Sequence, residues 1–128
     1  MRKNILIVDD ENYIRLLLKR TLEDFEFAGV EIRVAADGRA GLEAVRKHTP
    51  DLLILDLMMP IMNGFDVCLE LKRDPELCRV PVVILTAKGQ LPDFPAGTEP
   101  DHYLTKPFDP DQIVDLAQSV LGIDIDVQ

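Results

Sequence analysis

At 128 residues and 47% hydrophobic content, the chain can bury one core and is too short for two, so a single domain is expected. Its 23 acidic residues against 14 basic ones give a net charge of −9, which repels nucleic-acid phosphates and anionic membranes; direct nucleic-acid binding is not expected. No apolar run approaches the roughly 18 residues that cross a bilayer, and the Met1-Arg2-Lys3-Asn4 start leads into a strand rather than a secretory signal, so a soluble, cytoplasmic protein without membrane contact is expected.

Strand and helix patterns then alternate along the chain. Ile5 to Val8 reads as a first strand, and Ile14, Leu17, Leu18, Leu22 and Phe25 form a 3.6-period stripe that predicts the first helix. Glu31 to Ala36 has the β-branched content of a second strand, and a helix follows over Ala40 to Lys47 with Leu42 and Val45 inward. Asp51 to Leu55 is nearly all apolar, as a central parallel strand covered on both faces must be. A third helix runs from about Phe65 to Lys72 and stops before Pro75. Val80 to Leu85 makes a fourth strand with Pro81 at its start, where a missing N–H is tolerated, and His102 to Leu104 a short fifth. The last helix is the best punctuated: Asp109 as N-cap, Pro110 at the first helical position, Gln112 three residues after the cap, and Gly122 after the final turn. Such alternation needs right-handed crossovers and builds a doubly wound parallel α/β sheet. Cys68 and Cys78 lack Cys-x-x-Cys spacing and read as structural.

The chemistry lies at the strand tips. The first strand ends in Asp9-Asp10, the third in Asp56, the fourth in Thr86, and Lys106 follows the fifth. With strands one and three adjacent, Asp9, Asp10 and Asp56 converge and repel unless a hard divalent cation such as Mg²⁺ offsets them. Asp56 can then act as a nucleophile toward phosphorus, with the Lys106 cation and the Thr86 hydroxyl binding phosphoryl oxygens. Singly, each residue has a plainer reading: the Asp pair as a turn or cap, Thr86 as a helix cap, Lys106 as a solvated lysine. Their joint placement at successive strand ends favours the site.

These residues carry a family resemblance over essentially the whole chain. Ile7-Val8-Asp9-Asp10-Glu11, Leu55-Asp56-Leu57-Met58-Met59-Pro60 with Asn63-Gly64, Leu85-Thr86-Ala87-Lys88, and Tyr103-Leu104-Thr105-Lys106-Pro107-Phe108 resemble the receiver domain of bacterial two-component response regulators. The resemblance implies a flavodoxin-like five-stranded sheet of order 2-1-3-4-5, with residues 1–122 as the receiver domain and 123–128 as a C-terminal tail. It implies Asp56 as phosphoacceptor, and Mg²⁺, with Mn²⁺ as a substitute, held by Asp10, Asp56 and the Met58 main-chain carbonyl, with Asp9 acting mainly through a water. Thr86 would be the switch hydroxyl, Tyr103 the aromatic switch, Lys106 the phosphoryl-binding lysine, and Lys106-Pro107 a cis bond. The phosphoryl donor would be a histidine kinase or phosphotransfer protein, and the output altered binding of a downstream protein. By this resemblance the chain is not an enzyme beyond its own phosphorylation and dephosphorylation.

The chain departs from that pattern between Thr86 and Lys106. Gly89 to Pro100 holds Pro92, Pro95, Pro100, Gly89 and Gly97, which oppose the amphipathic fourth helix of the family. That helix is expected to be shortened, missing or irregular, with Leu91 and Phe94 pinning the segment to the sheet and the usual dimer face altered. Met58 and Lys88, which flank the path of an attacking water, are poor water-activating groups, so a long-lived phosphoprotein is expected. Two rival classes remain. A Mg²⁺-dependent phosphohydrolase would want a second Asp where Met58 stands, and a phosphorylation-independent pseudo-receiver would lack part of the acid, hydroxyl and lysine set. A chain ending at Gln128 is either a stand-alone receiver or a fragment of a longer regulator.

Overall fold

Strands β1 (Asn4–Val8) and β3 (Leu52–Asp56) are buried at every position, as the centre of a sheet covered on both faces requires. The computed structural model describes residues 2–87 and 89–125. Around these strands lie β2 (Glu31–Ala35), β4 (Val82–Ala87) and β5 (His102–Lys106), all pairings parallel, in the order β2-β1-β3-β4-β5. The helices are α1 (Asn12–Thr21), α2 (Glu23–Phe27), α3 (Gly38–Lys47), α4 (Gly64–Arg73) and α5 (Pro110–Leu121). The expected flavodoxin-like topology is present.

Alternation along the strands divides the core. Leu6, Val8, Leu53, Leu55, Val82 and Ile84 face α3 and α4, whereas Ile5, Ile7, Leu52, Ile54, Val83 and Leu85 face α1, α2 and α5. Phe25, with no exposed surface, anchors the second layer. The α5 punctuation is as read: Asp109 accepts from the Asp111 N–H at 2.9 Å, the Gln112 side chain returns to the cap, and Gly122 closes the helix at φ 68°.

Several boundaries differ from expectation, three of them by more than a fraying end: α1, β4 and β5. The first helical stripe is cut at Leu22 (φ −99°, ψ 12°), beside Thr21, whose hydroxyl donates to the Leu17 carbonyl at 2.8 Å and competes with regular helix. β4 begins at Val82 and runs through Thr86 to Ala87, leaving Pro81 before the strand. β5 extends to Lys106 because Thr105 and Lys106 pair with Thr86 and Ala87.

Among the described residues from 89 to 101 there is no helix. Leu91 and Phe94 pack on the core face shared with α3 and α4, the Phe94 ring centroid lying 5.0 Å from that of Phe65. Hydrogen bonds fix the rest: the Thr98 hydroxyl to Pro95 O at 2.6 Å, the Cys68 thiol to Thr98 O at 3.4 Å. Lys72 Nζ meets Asp101 at 2.7 Å, and the same carboxylate oxygen accepts from the Val82 N–H at 2.8 Å, tying the segment's end to the start of β4. Both cysteines are free, Cys68 buried and Cys78 half-buried, as their structural reading requires. Phe94→Ala should cost about 2 kcal/mol, roughly half the value for a fully buried Phe. Faster amide exchange confined to residues 91–98 would show it; unchanged exchange would mean Phe94 does not pin the segment.

Candidate functional site

Parallel strands bring their C-terminal ends to one sheet edge, where open α/β folds expose chemistry. Asp9 follows β1, Asp56 ends β3 beside Leu85 of β4, Thr86 lies next along β4, and Lys106 ends β5. Asp9, Asp56 and Thr86 are buried, while Asp10 is exposed. One carboxylate oxygen from each of Asp9, Asp10 and Asp56 lies within 4.8 Å of the others. The two Asp neighbours and the third-strand acid therefore converge as their spacing predicted. A donor set of hard oxygens this close fits a divalent cation of the Mg²⁺ class.

Lys106 is the counterion. Its Nζ lies 3.0 Å from Asp56 Oδ1, 3.3 Å from Asp9 Oδ2 and 3.7 Å from Glu11 Oε1. Burial raises the Asp56 pKa to about 6; the Lys106 hydrogen bond works against this, and Asp9 and Asp10 add to it. Asp9 is also raised, by burial first, against the Glu11 N–H that donates to its Oδ1 at 2.9 Å and against Lys106. Burial alone would lower Lys106, but the hydrogen bond and charge of Asp56, with those of Asp9, carry its pKa above the ordinary value. One half-buried cation thus offsets two buried carboxylates only in part. The Arg15 guanidinium donates to the Asp9 carbonyl at 2.6 Å and holds the turn that aims this carboxylate.

A cleft of about 230 Å³ opens over Asp56, with Glu11, Met58, Thr86, Gln90 and Lys106 in its lining. Thr86 faces it, its hydroxyl donating to Ala87 O at 3.1 Å rather than to a carboxylate. The Met58 side chain is exposed on the rim. Tyr103 is not brought into the site: it sits beside Ile84 in the β4–β5 register with its side chain 58% exposed. Lys88, expected to flank the path of an attacking water, lies outside the described residues. The Lys106–Pro107 peptide is cis.

Other contributors carried weaker signals. Glu11 adds a third acid to the Lys106 network and was visible only as the last letter of its motif. Ile61 has φ 72° at the centre of a tight turn in which the Met62 N–H donates to Pro60 O at 2.7 Å, a conformation β-branched residues rarely take. Gly38 and Gly64 make backbone approaches to Met62 and Asp56 that no Cβ would allow. Asn63 caps α4 by accepting the Asp66 N–H at 2.9 Å.

The profile of the response regulator receiver domain matches residues 5–118. The chain is 40% identical over 121 residues to the DNA-binding dual master transcriptional regulator RpaA of Synechocystis, covering 91% of this chain and 48% of that protein. The chemotaxis response regulator CheY4 of Vibrio cholerae superposes with a TM-score of 0.78 at 31% identity, over 94% of this chain and 99% of that one. The receiver domain of the Pseudomonas aeruginosa sensor histidine kinase PA1611, solved with magnesium in its active-site cleft, shares the fold at a TM-score of 0.81 and 22% identity, over 96% and 100% of the two chains.

The expectation of no direct nucleic-acid binding is corrected by the relative named a DNA-binding regulator. That expectation came from a net charge of −9 summed over a chain that spans about half the length of that relative, and such a sum does not describe the other half. Among the described residues no helix is long and apolar enough to cross a membrane. The matched profile, the sequence relative and the superposing receiver fold have one conclusion: this chain belongs to the response regulator receiver domains, the phosphorylation-dependent modules of two-component signalling.

Proposed function

We propose that Asp56 accepts a phosphoryl group from a phosphohistidine, on a histidine kinase or a phosphotransfer protein, and that the resulting acyl phosphate switches the binding of a downstream partner. The observation that carries this reading is the contact of Lys106 Nζ with Asp56 at 3.0 Å and Asp9 at 3.3 Å, within a cluster of three carboxylates. A pre-paired cation and nucleophile at an open strand edge is what in-line phosphoryl transfer needs, because that chemistry is mostly positioning and charge stabilisation.

In the proposed reaction an Asp56 carboxylate oxygen bonds to phosphorus as the phosphorus–nitrogen bond to histidine breaks and the imidazole leaves. Asp9, Asp10, Asp56 and the Met58 carbonyl are the residues that would hold Mg²⁺, with Mn²⁺ as a substitute. Bound there, the cation neutralises the crowded acids and the phosphoryl oxygens. Lys106 transfers its hydrogen bond from the carboxylate to a phosphoryl oxygen, and Thr86 turns its hydroxyl from Ala87 O toward another. The chain catalyses only this modification of itself and its reversal. Residues 1–122 form the domain, 123–128 a tail of which 126–128 lie outside the described residues, and the site of action is the cytoplasm. Output differs from that of a receiver with a full fourth helix, because an irregular segment pinned by Leu91 and Phe94 stands between β4 and β5. Tyr103, already outside the site, takes the aromatic switch role by moving inward.

Incubation with acetyl phosphate and Mg²⁺ tests the reading. A stoichiometric, hydroxylamine-labile adduct absent from Asp56→Asn is expected. Sustained phosphate turnover would assign a phosphohydrolase instead, and no adduct a pseudo-receiver.

A further inference from the structure

We propose that Gln90 orients the water that removes the phosphoryl group, and so sets the lifetime of the signal. The inference rests on the assignment of Asp56 as phosphoacceptor. It begins from a feature of the irregular segment. Gly89 takes φ 76° and the Gln90 N–H donates to Ala87 O at 3.1 Å, a turn that folds the chain back over the end of β4. Gln90 thereby lines the cleft that holds Asp56, Thr86 and Lys106. It also lines the adjoining groove of about 240 Å³ with Asn63, Phe65 and Pro92, so it stands where bulk water meets the phosphorylation cleft.

Chemistry singles out this residue among its neighbours. Besides Asp56, Thr86 and Lys106, the polar side chains of the described lining are Glu11 and Gln90. Glu11 is committed to Lys106 at 3.7 Å, and its charge repels an approaching phosphoryl group. Met58, exposed at the rim, offers only a weak thioether acceptor. A neutral carboxamide has neither defect. Its NH₂ can donate to a phosphoryl oxygen while its carbonyl accepts from a water, the two-handed geometry that a glutamine supplies to water attack in nucleotide hydrolases. The step balances simply. Water oxygen bonds to phosphorus, the bond from phosphorus to the Asp56 oxygen breaks, and the water proton leaves with inorganic phosphate while Asp56 returns as carboxylate.

Gln90 belongs neither to the carboxylate cluster nor to the ion pairs of Lys106, so its replacement leaves the nucleophile and its counterion in place. The test uses acetyl phosphate and Mg²⁺ on the wild type, Gln90→Ala and Gln90→Met, with phosphate followed after donor removal. Melting temperature should match in all three, and all three should form the Asp56 adduct. The phosphoprotein half-life should lengthen roughly five- to tenfold in both variants, the rate equivalent of one hydrogen bond. Gln90→Met keeps the bulk of the side chain, so it separates water orientation from simple shielding. An unchanged half-life, or faster loss in Gln90→Ala, would overturn the role while leaving the Asp56 adduct in place. A wild type that takes up no phosphate at all would overturn both.

Discussion

Asparagine at position 56 should stabilise the protein by about 3 kcal/mol at pH 8 in the presence of a chelator, and by essentially nothing at pH 3.5. The cause is electrostatic. Burial raises the folded-state pKa of Asp56 from 3.8 to about 6, so the native state holds the proton more tightly than the unfolded chain does. Asp56 therefore favours folding below the unfolded value, and that contribution is lost as pH rises through about 6. Every tenfold gain in proton affinity on folding corresponds to about 1.4 kcal/mol, and the folded value already includes the opposing hydrogen bond and charge of Lys106. Chemical denaturation at several pH values measures the difference. Mg²⁺ should then stabilise the wild type more than the variant, since a ligand stabilises in proportion to its affinity for the native state. A wild type more stable than the variant at pH 8 without metal would mean that Lys106 more than compensates for burial.

How far the site was legible depended on which physical signal carried each residue. Asp9, Asp56 and Thr86 were readable because a polar residue at the end of an apolar strand stands out, and parallel crossovers oblige such ends to meet. The α5 boundaries were readable because Asp109, Pro110, Gln112 and Gly122 each satisfy a distinct backbone requirement. Loss of the helix between β4 and β5 followed from Pro92, Pro95 and Pro100, whose spacing would put a ring and a missing N–H inside any helix of more than a turn there. The conformation that replaces the helix was not legible. Leu91 and Phe94 were placed on the core as hydrophobes, but nothing periodic marked Gln90, whose position comes from one turn at Gly89. Tyr103 shows a different limit, because a side chain's rotamer depends on neighbours that its local sequence does not contain. Nucleic acid was misjudged because charge was summed over a stretch matching about half of a longer relative.

Gly64→Ala should be strongly damaging although it removes no side chain of the site. An added Cβ would overlap the backbone carbonyl oxygen of Asp56 and come within 3.0 Å of its carbonyl carbon and of Leu57 Cα. These atoms cannot rotate away as a flexible side chain could. Gly64 also donates its N–H to Leu57 O at 2.9 Å, which ties the first turn of α4 to the residue after Asp56. Relief must come from moving α4, the tip of β3, or both, and overpacking against backbone sits at the upper end of its usual range, about 3 kcal/mol. The functional loss should be larger than the stability loss suggests. Displacing Asp56 by about 1 Å from its line with Lys106 is of the order that costs a hundredfold in rate. Phosphate uptake from acetyl phosphate should fall by about that factor under conditions where the variant remains folded by circular dichroism. Gly29→Ala is the control, since it strains a backbone at φ 97° but places its methyl in open space, just before β2 at the opposite end of the sheet from the cleft. It should cost about 1 kcal/mol and leave uptake unchanged. Equal uptake in Gly64→Ala and wild type would show that the β3 tip tolerates the shift and that the close approach of α4 serves packing alone.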